Sequence, residues 1–168
     1  MSGADSITVR RAEPRDIPAL GRLGAALMRM HHAFDTRRFL APGDDPEGGY
    51  AWFLGSQMES DRTLILVAER PGHPDIVGYV YAGVEPHSWK ELRDEAGFIH
   101  DLFVTDDARG AGAGTHLLDH AVAWLRAQGM PRVLLWTAAP NTQARRLFEA
   151  RGFKPSMIEM TRELLEEA

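Results

Sequence analysis

Leu117, Leu118, Ala121, Val122 and Leu125 recur at three- and four-residue spacing and predict an amphipathic helix from Thr115 to Gln128. Ile17, Leu20, Leu23, Leu27 and His31 repeat that pattern over about 16–34, and a second helix is expected over about 47–60. Other stretches lack the helical period. Phe98-Ile99-His100-Asp101-Leu102-Phe103-Val104 is apolar on both faces and reads as a buried strand. Leu64–Ala68 and Asp75–Ala82 read as a hairpin turning around Pro71-Gly72-His73-Pro74, and a further strand is expected at 7–11. Val133-Leu134-Leu135-Trp136 forms a short strand, followed by a helix over Pro140–Phe148 that ends at Arg151-Gly152-Phe153. Met157 to Arg162 alternates and is expected to close the sheet. Residues 35–49, rich in Pro, Gly and Asp, read as a loop, and 85–95 as charged loop or a short helical turn. With neither repeat nor linker, the expectation is one α/β domain over 1–168, a mixed sheet with helices on both faces.

Composition narrows the class. At 44% apolar and 26% charged residues the chain has an ordinary globular composition, and 168 residues suffice to bury about two-thirds of the unfolded surface. A net charge of −5 argues against a nucleic-acid partner, which usually demands a basic stripe. No apolar run approaches the ~18 residues of a membrane span, and no apolar leader opens the chain, so no membrane partner and a cytoplasmic location are expected. The absence of cysteine removes disulfides, thiolate metal sites and a cysteine nucleophile.

The chemistry is concentrated where the 98–104 strand meets the 115–128 helix, at Arg109-Gly110-Ala111-Gly112-Ala113-Gly114-Thr115. The first N–H groups of a helix lack intrahelical partners and its dipole adds partial positive charge there. Glycines let an anion approach the backbone, so the segment reads as a phosphate site. It is not a Walker loop, because Thr115 and His116 stand where Lys-Ser/Thr would follow Gly114. A dinucleotide fingerprint would need glycine at 115 and a place in the first βαβ unit. Arg-Gly-x-Gly-x-Gly after an apolar strand instead resembles the pyrophosphate loop of the GNAT acetyltransferases, which read Gln/Arg-x-x-Gly-x-Gly/Ala.

The flanks extend the resemblance. Val9-Arg10-Arg11-Ala12-Glu13-Pro14-Arg15-Asp16-Ile17 looks like the family's opening strand and first helix. Asn141-Thr142-Gln143-Ala144 through Phe148, then Gly152-Phe153, is similar to its Asn-x-x-Ala-x-x-x-Tyr helix and Gly-Phe turn. The match is closest over 96–155, fair over 7–30 and 63–84, and faint over 31–62.

The resemblance implies a GNAT fold: a mixed, mostly antiparallel central sheet of six to seven strands, splayed between the fourth and fifth. It implies acetyl-CoA as co-substrate and no metal. Pantetheine would lie along the backbone of Leu102, Phe103 and Val104, and its pyrophosphate on Arg109, Gly110, Ala111, Gly112, Ala113, Gly114 and Thr115. Asn141 and Ala144 would flank the cofactor, although Asn141 reads equally well as a helix cap. An amine of pKa about 10 must lose a proton before it attacks. His100 stands where the family often has glutamate, and an imidazole of pKa about 6.5 can accept that proton. It reads equally as a core histidine, with Asp101, on the opposite face by strand alternation, as second candidate. Phe148 replaces a tyrosine that protonates the leaving thiolate in many members; Tyr79, Tyr81 or water are left as donors.

The expected acceptor is a small-molecule amine, with a peptide or protein amine and a non-catalytic acyl-CoA sensor as alternatives, and a homodimer left open. Glu85, Asp94 and Glu95 would suit a cationic acceptor. His31-His32 reads as helix-end surface or as part of the acceptor wall. His116 and His120 share a helix face but lack a third ligand. Trp52, Phe53, Trp89, Tyr79 and Tyr81 read as core or as an aromatic pocket.

Overall fold

Three antiparallel pairings and one parallel pairing join five strands in the order β1-β2-β3-β4-β5. These are β1 (Thr8–Arg11), β2 (Thr63–Glu69), β3 (Gly78–Glu85), β4 (Ala96–Val104) and β5 (Val133–Leu135) in a computed structural model that describes residues 6–165. The ends of the expected 1–168 domain lie outside the described residues. The helices are α1 (Ile17–Phe34), α2 (Pro46–Gln57), α3 (Ala113–Ala127) and α4 (Thr142–Ala150).

Strand alternation sends Leu66, Val80 and Ile99 to one face, where they meet Leu117, Leu118 and Leu125 of α3 and Phe148 of α4. Val67, Tyr79 and Tyr81 point to the other face, against Leu20 and Leu27 of α1 and Leu54 of α2. The two apolar layers are therefore built from opposite faces of the same strands.

Helices α1 and α2 cross closely because α1 carries glycine at the crossing. A Cβ on Gly24 would stand 2.0 Å from Cδ1 of Tyr50, and one on Gly21 would stand 2.6 Å from the Glu47 carbonyl oxygen. The missing side chains seat the Tyr50 ring directly on α1.

Six to seven strands were expected and five are present among the described residues. The missing closing strand is Met157–Arg162, which has no strand partner and whose side chains are exposed. Alternation specifies which side chains would share a face, but pairing also needs a neighbouring edge in register. The hairpin's second strand starts at Gly78, three residues later than expected, and α3 starts at Ala113 rather than Thr115.

Two irregularities in β4 shape the site. Tyr81 pairs with Asp101 and Ala82 with Ile99, so His100 is an extra residue, a β-bulge. Pairing with β5 covers only Gly97, Phe98 and Ile99. Beyond Ile99 the two parallel strands part.

Candidate active site

The parting of β4 and β5 opens a cavity of about 370 Å³. Ile99, His100, Asp101 and Leu102 line one side and Leu135, Trp136 and Thr137 the other. Asn141, Ala144 and Phe148 of the α4 region border it on one face of the sheet. On the other face it meets Leu27, Met28 and His31 of α1, Tyr50 of α2, and Arg38, Phe39 and Leu40 between them. The cavity thus reaches both layers through the splayed sheet.

Beyond Ile99 the backbone of β4 faces this gap with no β5 partner. Thr105 N–H donates to the Val77 carbonyl at 2.8 Å. Alternation along an antiparallel ladder then gives the Phe103 groups to β3 and turns those of Leu102 and Val104 toward the gap. The Val104 carbonyl accepts from Arg109 Nε at 3.2 Å.

After β4 a 3-10 turn at Asp106–Ala108 leads into the glycine-rich loop. Gly110 and Gly112 have φ of +85° and +87°, a region open to glycine and strained for other residues. No side chain caps α3, whose first ladder bond runs from His116 N–H to the Gly112 carbonyl at 3.0 Å. The amides of 113–115 precede that bond and have no helical acceptor, so the helix begins with donors available to an anion. Gly114 serves packing instead: its Cβ would lie 3.2 Å from Leu147 Cδ2. The Arg109 guanidinium is engaged by Asp106 at 2.7 Å and by the Val104 carbonyl.

The bulge brings His100 and Asp101 to the same layer, contrary to the opposite-face expectation, because an inserted residue breaks period-two alternation. His100 stacks against Phe98 with ring centroids 5.5 Å apart and lies 4.7 Å from the Tyr81 ring. Its Nε2 is 2.9 Å from Glu85 Oε1, and its side chain is 28% exposed. Asp101 Oδ2 accepts from Tyr79 Oη at 2.9 Å and Tyr50 Oη at 3.1 Å. Burial raises the Asp101 pKa, only partly offset by the two phenols. Burial and the nearby Asp101 charge push both Tyr50 and Tyr79 upward, and burial beside Glu85 and Asp101 takes Tyr81 to about 12. The phenols therefore stay protonated donors near neutral pH.

The structure thus combines a splayed β4/β5 pair, an uncapped helix after a glycine loop and a cavity joining both faces of the sheet. The sequence matches the acetyltransferase (GNAT) family over residues 26–153. The chain belongs to that family, and with it to the acyltransferases. This GNAT chain is 29% identical to the uncharacterized N-acetyltransferase YhfO of Bacillus subtilis, over 88% of its length and 90% of that protein's. It is 32% identical to a mycothiol acetyltransferase of Thermomonospora curvata over 89% of its length, but it spans 44% of that longer protein. In fold it is similar to a predicted acetyltransferase from Clostridium acetobutylicum solved with acetyl-CoA, with a TM-score of 0.71 at 16% identity covering 96% and 99% of the two chains.

Of the residues singled out in the sequence, His100, Leu102, Asn141 and Ala144 line one GNAT cavity, with Asp101 and Phe148 beside them. Asn141 Oδ1 accepts from Ala144 N–H at 3.2 Å, so it caps α4 while facing the cavity. The loop 109–115 lies outside the cavity lining, at the start of α3. His31 lines the cavity, with Nδ1 2.9 Å from the Leu27 carbonyl oxygen. His120 Nδ1 is taken up by the His116 carbonyl at 2.7 Å, and no group of three or more His, Cys, Asp or Glu is placed to hold a metal among the described residues. Tyr81 donates to Gln57, while Trp52 and Trp89 are exposed. No helix among the described residues is long and apolar enough to cross a membrane.

Tyr50 was missed by sequence reasoning. Its only signal was the glycine pair at 21 and 24, which marks a face of α1 that another helix approaches closely.

Proposed function

We propose that the chain transfers the acetyl group of acetyl-CoA to the primary amine of a small-molecule acceptor, by direct attack in a ternary complex. The observation that carries this reading is a cavity bordered by the open backbone of β4 and by His100. Pantetheine would enter as an added strand against Leu102 and Val104, with its pyrophosphate on the loop and first turn of α3. Arg109, already paired with Asp106, would guide the loop more than the phosphate.

His100 accepts the proton released by the amine, directly or through water, and the amine nitrogen bonds to the acetyl carbon. An N–H of Leu102 or Val104 would stabilise the resulting oxyanion. Collapse breaks the C–S bond and releases the coenzyme A thiolate, with the acetyl group retained as an amide. Thiol pKa values near 8.5 make the sulfur a good leaving group, consistent with phenylalanine at 148.

A small acceptor is favoured over a protein by the walling of the cavity by Phe39, Leu40 and Tyr50. Its amine would meet Glu85 and Asp101, which suits a cationic molecule. A passive acyl-CoA sensor would have no use for an exposed histidine at the cavity.

Titration calorimetry with acetyl-CoA and an amine-panel assay test the reading. Gly112→Glu should abolish acetyl-CoA binding; because the φ of +87° strains any side chain there, its melting temperature should fall, and Gly112→Ala, which shares the strain without the charge and bulk, serves as the control. His100→Ala should keep binding and lower kcat/KM by about 10²–10⁴. Unchanged acetyl-CoA affinity in Gly112→Glu would overturn the cofactor site; binding without acetylation of any amine would favour the sensor.

A further inference from the structure

The cavity carries two charged residues of opposite sign. Among the described residues that line it, Arg38 is the one arginine or lysine and Asp101 the one carboxylate. Tyr79 and Tyr50 both donate to Asp101 Oδ2, and no protein donor bonds Oδ1 among the described residues. Arg38 enters from the segment between α1 and α2, which also brings Phe39 to the wall.

The Arg38 guanidinium is arranged for a planar anion. The backbone N–H groups of Arg37 and Arg38 each donate to Asp35 Oδ1 at 3.0 Å, which fixes the turn that carries the side chain. Its Cζ lies over the Phe39 ring, 5.1 Å from the centroid, and His31 meets that ring edge-on, also at 5.1 Å. Nε and Nη2 both donate to one carboxylate, that of Glu159, with Nη2 2.9 Å from Oε2. Two N–H groups on the two oxygens of a single carboxylate form the fork by which arginine selects carboxylates. The two side chains are 41 and 62% exposed, so the pair is weak and exchanges readily with a competitor.

We propose, building on the acetyltransferase reading above, that the acceptor is an aminocarboxylate: its amine meets His100 and Asp101 while its carboxylate takes the Arg38 fork, and Glu159 fills that fork until the acceptor arrives. A molecule with several amines and no anion would set a positive charge against Arg38, which selects against it. A zwitterion matches both charges, and an apolar body between its ends would lie along Phe39 and Tyr50.

The experiment compares free amino acids, their carboxamides and the matching decarboxylated amines. Steady-state acetylation is measured alongside calorimetry on the complex with coenzyme A. Hydrogen bonds to a charged group discriminate by about 10–100-fold, so the free acids should show the lower KM and Kd by that factor. Arg38→Gln should erase their advantage over the carboxamides, and Arg38→Lys should restore only part of it, since lysine has no fork. Glu159→Gln removes the internal competitor and should lower the KM of the free acids about two- to fivefold, the worth of an exposed ion pair. Its kcat and its KM for carboxamides should stay unchanged. Carboxamides or decarboxylated amines that bind and react as well as the free acids would overturn the carboxylate subsite and leave the transferase reading standing. Free acids that bind through Arg38 but are never acetylated would uphold the subsite and overturn the transferase. An unaltered KM for free acids in Glu159→Gln would overturn the role of Glu159.

Discussion

His100 Nε2 and Glu85 Oε1 lie 2.9 Å apart, joining the bulge of β4 to the end of β3. A carboxylate can only accept, so Nε2 carries the hydrogen and the lone pair stays on Nδ1. Glu85 thereby fixes both the tautomer and the ring orientation of the proposed base.

Glu85→Gln should therefore lower kcat/KM by about tenfold or more, less than loss of the base itself, which costs about 10²–10⁴. Acetyl-CoA affinity should not change. Unchanged kcat/KM would mean the pair is structural and that Asp101 or water carries the proton.

Phe148 lines the cavity while 8% exposed, so a hydroxyl at its ring tip has a cavity to enter. Phe148→Tyr should raise turnover modestly where chemistry limits the rate and leave the melting temperature unchanged. Were the hydroxyl buried without a partner, stability would fall by roughly 1–3 kcal/mol with flat kinetics. That pairing of results would remove the leaving-group reading of position 148 and, with it, the roles given to Asn141 and Ala144.

Gly24 tests the link between helix crossing and site. Alanine favours a helix interior by about 1 kcal/mol over glycine. Here its Cβ would meet the Tyr50 ring at 2.0 Å, so the ring must leave and Asp101 loses one of its two phenol donors. Gly24→Ala should thus destabilise by about 1–3 kcal/mol despite the better propensity. Adding Tyr50→Ala should remove the clash, so the second substitution should cost less in the Gly24→Ala background than alone. Additive melting shifts would contradict this packing.

Asp16 controls a different part of the pH response. Its buried carboxylate accepts from Arg10 Nη1 at 2.7 Å, Arg10 Nη2 at 3.0 Å and the Glu13 amide at 2.7 Å. Burial alone would raise its pKa, but the Arg10 and Glu13 bonds outweigh burial and leave it lowered. A carboxyl whose folded pKa lies below its unfolded value adds stability above the unfolded pKa and loses it as pH falls through the folded one. Urea unfolding should show this loss below about pH 4, the usual aspartate range. Asp16→Asn should be less stable at pH 7 and show less of that acid-side decline; an unaltered decline would assign it to other carboxylates.

The sequence alone determined what depends on neighbours along the chain. Apolar periodicity placed α1 and α3, and continuous apolar runs placed the strands at 64–68, 98–104 and 133–136, because burial of one face or of both imposes its pattern on the residues that fill it. Glycines 110 and 112 marked a turn, and both adopt the positive φ that glycine takes cheaply. Tertiary structure decided what depends on residues far apart. The bulge at His100 arises from the register of β4 on β3, which no single-strand pattern encodes, and it moved His100 and Asp101 into one layer. Tyr50 reaches Asp101 only because Gly24 on another helix leaves space for its ring. The alternation of Met157–Arg162 was legible but its pairing was not: a strand's own residues fix its two faces, while its partner is fixed by which edge the fold leaves open.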